Sequence, residues 1–437
     1  MLRAYKAKWI ATADEILENH LLVVDDGHII DIITEDETSN YELVKIKDFG
    51  NALITPGFIN MLAHLQYSKI NDNKPFSIKN KIKLFFKTLQ LKYDFAGMPQ
   101  NSYVRKIADL QRKYSCADRK QKIESFKFGL EQAILSGTTC ISQISKENKF
   151  FEIINQVPIK TYLFFEVFAD SLQAGKEEFK KIRKKIENLV LNKAENTYIG
   201  VAPSSLSNVH KKLWKILSKY CRKNNLLMLI HFAESKEEMD WLKYGFSDID
   251  IFHKYMGLRK LSPYQKGLSP VEYLEGLNVF SKKVLLANAC QLKEYELNEL
   301  EDKNPEFIYC PRYSDKLFNK RPPLKLLKEI FKENLGFGTV GLHFNDDFSL
   351  LNEVKYCNSE GVLDFNEIIR HLTIYPAKML KINNITGSLE KNKDADFNVF
   401  ELNDNEDYTA ILEGKNPQHV YLKGRKVVRN YKLVIKI

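Results

Sequence analysis

Apolar and polar positions along the chain follow two different periods. At both ends the period is two, the spacing of strands with one buried face. "KAKWIATA", "HLLVVDDGHIIDIIT" and "YELVKIKDFG" near the start predict short strands. Asp25-Asp26-Gly27 between β-branched runs predicts a hairpin turn. The end of the chain repeats the pattern in "DADFNVFEL", "HVYLKGRKVVRN" with a turn at Lys423-Gly424, and "YKLVIKI". Two β-rich ends are expected to meet and build one small β-sandwich domain from residues 1–55 and 385–437.

Between them, over residues 56–384, helical spacing alternates with short apolar runs. A helix is predicted around 118–136. The runs "TTCISQIS", "TYLFFEVF", "TYIGVAPSS", "LLMLIHFAES", "KVLLANACQ", "EFIYCPRYS" and "LGFGTVGLHFN" are predicted strands, several ending in polar residues. Strands separated by helices imply parallel pairing, and here a (β/α)8 TIM-like barrel. In such a barrel the C-terminal strand ends line the mouth. Glu166, Ser204, His231, Glu234, Asn288 and Val340 are therefore expected to face one cavity. The aromatic-rich stretch 236–278 predicts a helical insertion or lid.

Composition narrows the function classes. The 437 residues are 44% hydrophobic and 28% charged, enough for a large core. No run approaches the roughly 18 apolar residues of a membrane span. The N-terminus lacks the apolar core and cleavage site of a secretory signal, so a cytoplasmic protein is expected. The net charge is +10, but basic runs such as "RKQKIESFK" and "FKKIRKKIENLVLNK" sit on helical spacing and read as solvated helix faces, with no nucleic-acid partner expected. The six cysteines form no CxxC and predict neither disulfides nor a zinc knuckle. Abundant Lys, Asn and Ile fit an AT-rich bacterial genome.

Several strand-end motifs together resemble the amidohydrolase superfamily, in its chlorohydrolase/deaminase branch. These are "NALITPGFIN", "SGTTCIS", "HFAESKEEMDWL", "CPRYSDKL", "GTVGLHFNDDFSLLNEV" and the C-terminal "GSLEKNKDADFNVF". The nearest likeness is to aminofutalosine deaminases of the bacterial menaquinone pathway, over nearly the whole chain.

The resemblance implies one divalent metal, zinc or iron, held by His-x-His, a third His and an Asp. Carried over position by position, the ligands would be residues 62, 64, 231 and 340. His64 and His231 stand as in the family, and Glu234 stands at the acid/base position. Leu62 and Val340 replace the first His and the Asp, and Asn288 replaces a helper His. Two neutral imidazoles hold a divalent ion weakly, since such sites use about four donors. Losing the Asp also removes the anionic ligand and a base.

The expectation is an amidohydrolase fold without metal-dependent hydrolysis and without a cofactor: a pseudoenzyme with a ligand-binding or partner role. The alternative is an active metal-dependent hydrolase or deaminase, acting on C–N bonds of a nucleoside-like substrate through a non-standard metal site. In that reading His64 and His231 hold the metal, His343 is a substitute ligand and Glu234 is the acid/base. Glu234 is also expected to pair with His64 or His231 where no metal separates them. Cys290 and Cys310 are further soft donors to weigh, although burial is the simpler fate of both. Glu166, Asn288 and Asn345 are candidate substrate contacts, with Asn345 and Asp346 also expected to shape the last loop. Expected partners are a small molecule at the barrel mouth and either a second copy or an active paralogue.

Overall fold

Eight parallel strands form the centre of the computed structural model, which describes residues 2–43, 45–70, 78–147, 149–192, 195–281 and 283–437. Val44 and Lys193, within two of the quoted segments, lie outside the described residues. The strands are β1 (Phe58–Ala63), β2 (Thr138–Ser145), β3 (Lys160–Val167), β4 (Thr197–Pro203), β5 (Leu227–Phe232), β6 (Leu285–Asn288), β7 (Glu306–Tyr309) and β8 (Leu335–Phe337). Each pairs in parallel with the next. The ring closes where Ala63 bridges Val340 and the Val340 amide donates to the Leu62 carbonyl at 2.9 Å. Gly338 permits that approach, because a Cβ there would lie 2.8 Å from the Leu62 Cβ.

Nearly every barrel-strand residue is buried, since helices cover the outside and side chains fill the inside. The helix predicted around 118–136 spans Arg119–Leu135, and Asp118 caps it through a reciprocal pair with Gln121. Stretch 236–278 contains three short helices: Lys236–Tyr244, Ile249–Tyr255 and Pro270–Gly276.

Strands from both chain ends share one seven-stranded sheet, in which Phe397–Glu401 runs antiparallel to Ala52–Pro56. A four-stranded sheet comes from the N-terminal segment alone, with its hairpin turn at Asp26-Gly27. The two sheets enclose an apolar layer that includes Tyr5, Ile10, Ile54, Phe397 and Tyr421.

The C-terminal "KDADF" run ties this region to the floor of the barrel. The Lys160 ammonium at the start of β3 lies 2.6 Å from Asp394 and 2.5 Å from Asp396. Asp396 also accepts from the Thr386 hydroxyl at 2.9 Å and the Lys423 amide at 2.9 Å. Burial opposes the charge on Lys160, but the two carboxylates outweigh it and hold the ammonium above its usual range. The run is therefore a structural clamp at the end of the barrel opposite the mouth.

Candidate active site

Side chains at the C-terminal strand ends converge on a cavity of about 420 Å³. Its centre is a pair of histidines. His64 follows β1, and His231 lies within β5. Their Nε2 atoms are 3.2 Å apart and their rings are inclined by only 16°. His231 Nδ1 lies 2.6 Å from Glu234, and the Asn288 amide donates to the same Glu234 oxygen at 2.5 Å. On the other side, Gln66 Nε2 reaches His64 Nδ1 at 3.5 Å, and Gln143 Nε2 donates to the Gln66 side-chain oxygen Oε1 at 2.6 Å.

One set of proton positions satisfies this chain. Gln66 donates to His64, His64 to His231, and His231 to Glu234, with both imidazoles neutral. Burial and the facing His231 push His64 down to about 3, so it stays uncharged. Burial also opposes charge on His231, but the Glu234 carboxylate outweighs that and raises its pKa. Glu238, one helical turn beyond Glu234, accepts from the Leu206 amide at 2.9 Å. Burial and the nearby Glu234 push Glu238 up to about 8.

The backbone around the mouth is strained. Ala233, Asn288, Ala289 and Val340 all have left-handed conformations, with φ of 47°, 74°, 47° and 57°. A β-branched residue such as Val340 is an outlier there. Strain of this kind costs about 1–3 kcal/mol per residue and gathers at functional sites.

Two nitrogens 3.2 Å apart have the spacing of two ligands on one zinc. The remaining donors do not fit. Leu62 and Val340 are packed in an apolar cluster with Ala287, Ile308 and Tyr313. Glu234 is engaged by His231 and Asn288. Among the described residues no group of three His, Cys, Asp or Glu side chains is placed to hold a metal. The residues present therefore offer two neutral nitrogens, without the anionic donor and four-fold set such a metal needs.

Several sequence-based expectations need correction. Asn288 does not line the cavity: it is fully buried and its amide is taken up by Glu234. Asn345 does not line it either. Its amide donates to Glu353 at 2.6 Å and to the Thr339 carbonyl at 3.2 Å, so it shapes the loop from behind. Asp346 is on the surface against Lys316, and Asp347 with Arg312 braces the loop instead. Cys290 and Cys310 are buried, and burial pushes both thiols up, away from the thiolate a soft metal needs. His343 lines the cavity, but it packs edge-on against Phe344, and no metal-holding group includes it. Burial and Lys113 push its pKa down to about 4.

Glu166, Ser204, His231, Glu234 and Val340 do line the cavity. Glu166 faces Lys146 at 3.8 Å. The sequence reading expected a lid from 236–278 and missed the other half of the roof. The helix Tyr103–Cys116 presents Tyr103, Val104, Ile107, Leu110 and Gln111 to the cavity, and Ile249–Tyr255 adds Ile249 and Phe252. The helical spacing of those five residues was a visible signal, but it does not say what the face covers. Tyr67, Lys146 and Tyr313 are also in the lining.

Comparison with known proteins follows the same lines. The model of the amidohydrolase family matches residues 53–427. The chain is 24% identical to an aminodeoxyfutalosine deaminase of Nitratiruptor sp., over 98% of this chain and 100% of that protein. It is 23% identical to an adenosine deaminase of Helicobacter pylori, over 95% and 96%. It is 22% identical to a 5-methylthioadenosine/S-adenosylhomocysteine deaminase of Saccharophagus degradans, over 90% and 81%. In fold it resembles the Helicobacter pylori aminofutalosine deaminase in complex with methylthio-coformycin, with a TM-score of 0.76, 20% identity, and coverage of 98% and 100%. An adenosine deaminase from Xanthomonas campestris with bound zinc also gives 0.76, at 15% identity, covering 100% of this chain and 94% of that one. Among the described residues no helix is long and apolar enough to cross a membrane. The barrel, the strand-end motifs and a family match spanning most of the sequence lead to one assignment: this chain belongs to the amidohydrolase family, as a deaminase-like member.

Proposed function

We propose that the barrel mouth binds a nucleoside-like small molecule, and that the chain acts through this binding without four-donor metal hydrolysis. One observation carries the reading. The cavity is open and mixed in character while two donor corners are closed by Leu62 and Val340. A volume of about 420 Å³ lies in the range of small-molecule sites. Tyr67, Tyr103 and Phe252 bring aromatic side chains to the lining for a base to pack on, and Glu166 and Ser204 offer acceptors to sugar hydroxyls. The relatives named above as deaminases of adenosine derivatives support a purine nucleoside as the ligand class.

The second reading is hydrolysis of a C–N bond in that ligand. The relatives' names favour it, as does the convergence of His64 and His231 next to Glu234.

One experiment separates the two. Protein purified without a metal-affinity tag is analysed for bound metal, with His231→Ala as control. It is then titrated calorimetrically with 5′-methylthioadenosine and adenosine while ammonia is measured. Nucleoside binding with no ammonia and no stoichiometric metal is expected. About one zinc or iron per chain, lost in His231→Ala and accompanied by ammonia release, would establish the second reading. Absence of nucleoside binding would overturn both.

A further inference from the structure

A second and larger cavity, of about 990 Å³, lies between the two terminal sheets, and it is strongly basic. The four-stranded sheet contributes Arg3, Lys45 and Lys47. The seven-stranded sheet and its Lys423-Gly424 turn contribute Lys423, Arg425, Lys426 and Arg429. Among the described residues that line it, the acidic ones are Asp26 and Glu401. Seven cations against two carboxylates leave an excess of five among the lining residues, before the pairing of Lys423 outside the lining is counted.

Strand register produces the clustering. Arg3 is paired with Lys45 and Tyr5 with Lys47 in one sheet. In the other, Arg429 is paired with His419 and Lys426 with Tyr421. Of these cations only Lys423 makes an ion pair among the described residues, with Glu195 at 3.0 Å and Asp394 at 3.8 Å. Tyr5 and Tyr421 place aromatic rings in the lining, and Lys426 Nζ lies 5.2 Å from the Tyr421 ring centre. Burial and the like charges of Arg429 and Lys47 lower the pKa of Lys426, against the smaller opposing pull of Glu401.

The basic runs on helix faces give no reason to expect a nucleic-acid partner; from the groove between the sheets we propose the opposite, that it binds single-stranded nucleic acid through its phosphates. Unpaired cations along a concave channel are what a flexible phosphodiester backbone requires. The aromatic rings do not offer stacking platforms, because Tyr5 and Tyr421 are only 5% and 3% exposed. Recognition therefore rests on charge and is independent of base sequence. The concave shape suits a single strand that follows the groove better than a rigid duplex.

The test is fluorescence anisotropy with the full chain and a labelled single-stranded 12-mer at two salt concentrations. The triple variant Arg425→Gln, Lys426→Gln, Arg429→Gln is compared with a control triple on a helix face, Lys180→Gln, Lys181→Gln, Lys184→Gln. Circular dichroism checks that both fold. A single-position charge change, Lys426→Glu, serves if the groove triple does not fold. The wild type is expected to bind, with affinity falling as salt rises. The groove triple should bind at least about tenfold more weakly, with a shallower salt slope, and the helix triple should match the wild type. Equal loss in both triples would show a diffuse surface effect and overturn the proposal. So would tighter binding of a duplex 12-mer, or binding of inorganic polyphosphate without binding of the oligonucleotide.

Discussion

His64 and His231 face each other at 3.2 Å between Nε2 atoms, the separation of two nitrogens on one zinc ion. Here the lone pair of one ring accepts the proton of the other, and Glu234 and Gln66 complete the chain. The pair is held by hydrogen bonds that need no metal. Whether the barrel can still hold one depends on two neighbouring corners.

Those corners can be refilled. The double variant Leu62→His, Val340→Asp places two donors beside the existing pair. Val340 already has the left-handed backbone, at φ 57°, that Asp tolerates better than Val. Without metal, a charged side chain in the apolar cluster is expected to cost at least about 2 kcal/mol. Zinc should restore the loss and bind at about one ion per chain. Melting curves with and without zinc, together with elemental analysis, check this. A double variant that zinc does not stabilise would show that more than these two donors is missing.

Asn288 ties Glu234 to the end of β6 from a backbone of φ 74°. Asn288→Ala should lose both the hydrogen bond to a buried carboxylate and a side chain suited to that conformation, about 2–3 kcal/mol together. Asn288→Gly removes the same hydrogen bond but relaxes the backbone. Urea unfolding should therefore place Gly above Ala. The reverse order would rule out backbone strain as part of the cost.

Lys160 neutralises Asp394 and Asp396 in the floor of the barrel. Lys160→Met leaves two buried carboxylates facing each other. Removing one partner of a buried pair costs about 3–5 kcal/mol. The predicted result is a large drop in the denaturation midpoint with unchanged nucleoside affinity per folded molecule. A loss of affinity in excess of the unfolded fraction would mean the clamp also positions the mouth.

His371 is buried, and its Nδ1–H donates to the Leu335 carbonyl at 2.8 Å. Burial pushes its pKa down to about 4, below the ordinary value of about 6.5. The unfolded chain then binds more protons than the folded one between those values. Its contribution is fully present above about pH 6.5 and is lost as pH falls toward 4, by up to about 3 kcal/mol. Stability measured from pH 7 to pH 4 should fall less steeply in His371→Asn, whose amide can keep the bond to Leu335. Parallel slopes would mean that His371 does not contribute to the acid sensitivity.

The sequence by itself determined the barrel and the β-rich ends, because a repeat of two or of 3.6 is a local property of the chain. It also determined which donor positions carry apolar residues, since identity at a motif position needs no coordinates. Leu62 and Val340 could be read from one line of letters. The tertiary structure decided which polar side chains meet. Asn288 and Asn345 sit at strand ends or loops like true cavity residues, yet neither lines the cavity, because Glu234 and Glu353 take up their amides. It decided the roof as well: the apolar face of Tyr103–Cys116 is visible in sequence, but the cavity beneath it is not. It also gathered cations from residues 3, 45–47 and 423–429 into one groove. Periodicity tells which face of an element is apolar or charged. Only the packing of distant elements fixes what that face meets, because charges and hydrogen-bonding groups act across space and not along the chain.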